Sequence, residues 1–270
     1  MKEINIFTIK FVITIKKSRK FMKIFISFFL FLSFTFANEY HQIQDQSNLT
    51  FKDPNVKKRQ TEKIRLANGL KVYLISDPDI SESAAALSVT AGSWNDPEEY
   101  PGMAHFVEHM LFKGTKTYPE EGAFMKYIWD HNGQPNAFTS FDRTVYMFSI
   151  DHHFFDDALH QFSRFFIDPL FPKNCIEREL YAVDQEHKKN IENDAWRNLS
   201  VLKEIANPAH PFSKFSTGTK ETLSIIPRDT LIKWYQNHYS ANLMILVIYS
   251  KKPMNELKKL AADYFSPIPN

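Results

Sequence analysis

The chain of 270 residues has a single cysteine, Cys175, so no disulfide forms within it and cysteine usage speaks neither for nor against an oxidising compartment. It has no apolar run of membrane-spanning length: the longest, Ile24 to Phe36, is 13 residues, too few to cross a bilayer comfortably as a helix. It lacks the basic surplus of a nucleic-acid binder. The formal charge is +2, but seven Lys and Arg against Glu3 put +6 in the first 23 residues, and +2 less +6 leaves −4 on the remainder. A mildly acidic body gives no electrostatic case for nucleic acid. No second copy of any segment is visible. With 43% hydrophobic residues, the chain beyond its N-terminal stretch can bury a full core, as one large domain or two small ones.

Lys23, the apolar run and Thr35-Phe36-Ala37 read as a secretory leader with a small-residue cleavage site, so residues 1–37 are assigned to a basic n-region and signal peptide. An uncleaved amphipathic anchor is the alternative, and the start is open between Met1 and Met22. A cleaved leader implies export, with membrane contact only through it during that step. Residues 38–60 are polar, mixed in charge and without a period, which predicts a linker.

The body alternates strand and helix signals. Ile64 to Ile75 is two alternating apolar runs around Asn68-Gly69, a hairpin signal. Strands are expected at Ala84–Ala91, Thr144–Ile150 and, as a continuous apolar and therefore central run, Leu243–Tyr249. Helices are expected at Pro119–His131, Asp151–Ile167, Arg228–Tyr239 and Pro253–Phe265. A long helix to about Ala206 is expected to open on capping-box spacing from Asn174 to Glu177. His152 and His153 diverge by about 100 degrees on a helix and are expected to face solvent. His210, flanked by prolines, is expected to be structural.

The chemistry lies in His105-Phe106-Val107-Glu108-His109. On a helix, residues four apart stack on one face with i+3 beside them, so two imidazoles and a carboxylate point the same way. That suits a catalytic zinc ion held by two neutral His nitrogens with a position left for water. Glu108 is too close to its neighbours to be a comfortable third ligand, but it is placed to take the water's proton. The order His-x-x-Glu-His is the inverzincin signature.

In its context, Gly-Met-Ala-His-Phe-Val-Glu-His-Met-Leu-Phe-Lys-Gly-Thr resembles the zinc-binding segment of the M16 metallopeptidases, in the pitrilysin and insulin-degrading enzyme branch. Glu179 to His187, Asn193-Asp194-Ala195-Trp196-Arg197, Asn207 to Gly218 and Tyr239 to Met244 resemble the same branch. The resemblance implies an α+β fold for residues 61–270: a mostly antiparallel sheet with packed helices, one M16-type repeat unit of the LuxS/MPP-like metallohydrolase fold. It implies Glu186 as third zinc ligand and Glu179, seven residues earlier on the same helix face, behind it to orient a His ligand. His187 points about 100 degrees away. Asn136, Ala137, Phe138 and Thr139 resemble the family's exposed edge strand, to which a peptide substrate adds as another strand; read without the family, they fit a turn entering a strand.

The implied activity is a zinc metalloendopeptidase acting on oligopeptides or small unfolded proteins, with one Zn2+ per chain and Glu108 as general base. The implied partners are a peptide substrate and a complementary M16 half, on the same longer chain or a separate subunit. A non-catalytic half that binds peptide is the alternative. The implied destination is the periplasm of a Gram-negative cell, or the medium.

Overall fold

The computed structural model describes residues 40–44, 56 and 58–270. The leader, and most of the stretch read as a linker, lie outside the described residues. Tyr40–Gln42, inside that stretch, is not linker but strand β1, because its backbone pairs antiparallel with the next strand.

Among the described residues seven strands form one sheet: β1, β2 (Gln60–Leu66), β3 (Lys71–Ser76), β4 (Glu82–Val89), β5 (Gln134–Thr139), β6 (Thr144–Asp151) and β7 (Met244–Ser250). Their order is β1-β2-β3-β7-β4-β6-β5, and every pairing is antiparallel except β3 with β7. The Asn68-Gly69 hairpin forms as expected. Gly69 takes φ +89, which only glycine adopts freely, and Asn68 Nδ2 donates to the carbonyls of Phe265 and Ile268, tying the turn to the C-terminal helix. The apolar run at Met244–Ser250 is central, as its lack of alternation predicted.

One row of the register runs Val72, Leu246, Leu87, Tyr146, Ala137 across five strands, and its first four members are buried beneath the helices. That face carries α1 (Met103–Leu111), α2 (Ala123–Asp130), α3 (Phe155–Arg164) and α8 (Met254–Phe265). Between them a cluster of Phe124, Phe148, Phe162, Phe165 and Phe166 fills the core. Each such ring contributes about 1.5–3 kcal/mol by burial. Outside this layer run α4 (Lys173–Ile191), α5 (Asp194–Glu204), α6 (Lys220–Leu223) and α7 (Arg228–His238). Among the described residues no helix is long and apolar enough to cross a membrane.

Three further expectations are corrected. The long helix does not run to Ala206: it stops at Ile191 and α5 starts afresh, because Asn193 caps the new helix through Ala195 N and Arg197 Nε takes the Ile191 carbonyl. The capping box at Asn174 and Glu177 is absent, since α4 begins two residues after Phe171 with Pro172 as its cap and Asn174 already inside the first turn. Of the His pair, His153 is exposed but His152 is half-buried, in the short 3-10 turn His152–Phe154 that precedes α3.

Candidate metal centre

α1 buries Met103, Phe106, Val107 and Met110, spaced i, i+3, i+4 and i+7, against the sheet. Its opposite face carries His105, Glu108 and His109, so core packing fixes where these three point. The entry to the helix is held by Asp96, whose Oδ2 accepts from Gly102 N and whose Oδ1 accepts from Ala104 N, both at 2.8 Å. Asp96 thus satisfies two donors of the helix N-terminus from six and eight residues upstream. Gly102 adopts φ +96, and a Cβ there would meet Gly218 Cα at 2.4 Å, so the loop ending at Gly218 docks flush on the start of α1.

α4 packs against α1 and brings Glu186 to the two imidazoles. His105 Nε2 lies 3.3 Å from His109 Nε2, and Glu186 Oε2 lies 3.5 Å from each. The opposite ring nitrogens are both committed as donors. His105 Nδ1–H donates to the Thr217 carbonyl at 2.6 Å and His109 Nδ1–H donates to Glu179 Oε2 at 3.1 Å. Both Nε2 atoms therefore present lone pairs, and with Glu186 three acceptors converge with no donor among them.

Such a trio is stable only around a cation or with protons supplied. A tetrahedral ion with bonds of about 2.0–2.2 Å requires ligand atoms about 3.3–3.6 Å apart, so the observed triangle fits zinc. Protons take the same role in the metal-free chain. Burial opposes charge on both imidazoles, but Glu186 raises each, and Glu179 helps push His109 up to about 9. The two imidazoles hold Glu186 well below the usual carboxylate range.

Glu108 is buried, and Thr139 Oγ1 donates to its Oε2 at 2.6 Å. Burial raises its pKa despite the neighbouring His105 and that hydrogen bond. Thr139 ends the edge strand β5. Ser140 N donates to Arg143 O, so by alternation Asn136 and Phe138 pair inward with β6 while Ala137 and Thr139 turn their backbone outward. Ala137 N is met only by the Asn136 side chain, at 2.9 Å, and Pro135 sits where a strand N–H would also face out. Phe138 is 46% exposed. A cleft of ≈ 490 Å³ runs between this edge and the metal group, lined by Glu108, His109, Ala137, Phe138, Glu186 and Trp196.

All four edge residues, Glu108, His109, Glu179 and Glu186 thus line one cleft, and His105 lies beside it with its Nε2 3.3 Å from that of His109. Sequence reasoning missed Asp96, Thr217, Trp196 as a cleft wall, and Lys113, whose Nζ is 2.6 Å from Glu179 Oε1. Lys113 carries a positional signal, lying four residues after His109, and Trp196 and Thr217 lie in segments that resemble the family. His210 is structural as expected: its Nδ1 accepts from Phe212 N and its ring meets Trp94 edge-on. His187 lies away from the metal group, edge-on to Phe215.

Comparison with known proteins agrees with this geometry. The profile of the insulinase family, peptidase family M16, matches residues 71–209, and that of the peptidase M16 inactive domain matches 226–270. The second stretch supplies α7, β7 and α8, so the centre of the sheet comes from it. The chain is 44% identical to insulin-degrading enzyme of Mus musculus over 220 residues, covering 79% of this chain and 22% of that protein. It is 41% identical to the A-factor-processing enzyme of Saccharomyces cerevisiae over 230 residues, covering 83% and 22%. The crystal structure of pitrilysin superposes with a TM-score of 0.81 at 40% identity, over 86% of this chain and 25% of that one. The chain thus spans about a quarter or less of the relatives it matches. By fold, motif and sequence, it belongs to the insulinase family, peptidase family M16.

Proposed function

We propose that the chain is the metal-bearing part of a zinc-dependent metalloendopeptidase that hydrolyses peptide bonds in oligopeptides or small unfolded proteins. The observation that carries it is the triangle of three convergent acceptors beside a buried, hydrogen-bonded carboxylate. His105, His109 and Glu186 would hold the zinc, which when bound supplies Lewis acidity for a water and for the scissile carbonyl. Glu108 accepts the water's proton on the oxygen that Thr139 leaves free and returns it to the leaving amine. Thr139 keeps Glu108 in one rotamer, and Glu179 keeps His109 in the Nδ1–H tautomer. The extended substrate pairs with the outward backbone groups of Ala137 and Thr139, displacing the Asn136 side chain, and Phe138 contributes a side-chain pocket. A complementary M16 half, on the same longer chain or as a separate subunit, closes the cleft; the short span relative to the relatives supports this. Export to the periplasm or medium rests on the leader. Zinc content, together with cleavage of a quenched peptide with and without a complementary half, tests the function. Stoichiometric zinc with cleavage in the assembled protein is expected, and zinc without cleavage in either form favours a peptide-binding half.

Two further results are expected. Ala137→Pro removes one outward N–H without touching the ladder to β6. Losing one backbone hydrogen bond of about 1 kcal/mol raises KM several-fold to tenfold at unchanged zinc content, in steady-state assays. The pH dependence of zinc binding follows from His109. Its pKa is raised in the folded, metal-free chain, so the stability it lends is full below about 6.5 and is lost as pH rises through about 9. Zinc competes with that proton. Affinity measured by chelator competition should climb between those limits, and calorimetry in buffers of differing ionisation enthalpy should register proton release at pH 7.5.

A further inference from the structure

A lysine ammonium beside a divalent-cation site is unfavourable by Coulomb's law, yet Lys113 is held there, only 20% exposed in its side chain and 2.6 Å from Glu179 Oε1. Glu179 turns its other oxygen, Oε2, to His109 Nδ1 at 3.1 Å. The chain His109, Glu179, Lys113 begins and ends on one helix and its immediate exit, four residues apart, with its middle member reaching across from α4.

We propose that Lys113 is a positioning residue of this site, pinning Glu179 so that its second oxygen stays aimed at His109 and the His109 Nε2 lone pair stays aimed at the metal. The proposal rests on the reading of His105, His109 and Glu186 as a metal site. A glutamate's terminal torsion is broad and two-fold, so a single hydrogen bond to His109 leaves the carboxylate free to rock. A second contact on the opposite oxygen removes that freedom. Lys113 has the reach because the chain leaves α1 through a turn at Phe112, where Lys113 N still bonds Met110 O and keeps the side chain on the His109 side. The lysine's charge is neutralised by the same carboxylate it orients.

Two accounts of Lys113 give opposite signs. As a bare charge, its removal strengthens binding of a divalent cation. As a clamp acting through Glu179, its removal weakens binding, by at most the roughly tenfold to hundredfold expected for loss of Glu179, the outer partner of His109.

The test is zinc affinity by competition with a chromophoric chelator, on the full chain, for the unmutated protein, Lys113→Met, Lys113→Gln and Lys113→Arg. Melting of the metal-free forms identifies any variant that fails to fold. Weaker binding by the folded Met or Gln variant, recovery in Lys113→Arg, and an altered visible spectrum of the cobalt form are expected. In a Glu179→Gln background, Lys113→Met should cost nothing more. Unchanged or tighter zinc binding in folded Lys113→Met or Lys113→Gln overturns the proposal, as does an equal loss in the Glu179→Gln background. Failure of the unmutated chain to bind zinc overturns the metal reading, and this with it.

Discussion

Glu108→Gln in the assembled protein keeps one zinc per chain and loses peptide cleavage by about two to four orders of magnitude, the usual worth of a positioned general base. The substitution is nearly isosteric. The amide oxygen of the new side chain still accepts from Thr139 Oγ1, so the rotamer and the packing of α1 survive. What is lost is the basic oxygen facing the cleft, and none of the three convergent ligand atoms belongs to Glu108. Metal analysis and single-turnover cleavage on the same preparation separate the two effects. Full turnover by the Glu108→Gln protein would remove Glu108 from the base role.

Glu186→Ala or His109→Ala weakens zinc binding by more than about a hundredfold, beyond the tenfold to hundredfold expected for Glu179→Gln, which removes only an orienting partner. The ranking follows from the geometry, since each ligand variant deletes one corner of the 3.3–3.5 Å triangle. The two ligand variants differ in a second way. Losing Glu186 removes the carboxylate that both Nε2 atoms face, while Glu179 still supports the charged form of His109, so in the metal-free Glu186→Ala chain the His105 pKa should fall more than that of His109. Chelator competition across the series, with imidazole NMR on the metal-free forms, reads both effects. Equal affinities for Glu186→Ala and Glu179→Gln would contradict the assignment of Glu186 to the metal.

The sequence made local geometry legible and left long-range geometry to resemblance. A period of 3.6 is enough to put His105, Glu108 and His109 on one face, and alternation with Asn68-Gly69 is enough for the β2–β3 hairpin. Glu186 is different. It comes from a helix 77 residues beyond His109, and no local period says that α4 crosses α1 at that height; only the family pattern pointed there. Asp96 and the Thr217 carbonyl were invisible for a related reason. One acts through carboxylate oxygens on backbone donors, the other through a backbone group that any residue carries, so neither needs a recognisable residue spacing. The end of α4 does have a local signal: Asn193-Asp194 is an N-cap pair, and a restart there competes with continuing the helix. Tyr40–Gln42 reads as polar linker because an edge strand of three residues buries almost nothing and its stability comes from backbone pairing with β2.

The proposed metal group depends on α1 and α4 meeting at one point, with Glu108 beside it. An anomalous difference map at the zinc edge from zinc-loaded crystals measures that meeting directly. The account predicts a single strong peak bonded to His105 Nε2, His109 Nε2 and one Glu186 oxygen at about 2.0–2.2 Å, with Glu108 outside bonding distance. A peak that excludes Glu186, or one held by Glu108 in its place, would contradict it.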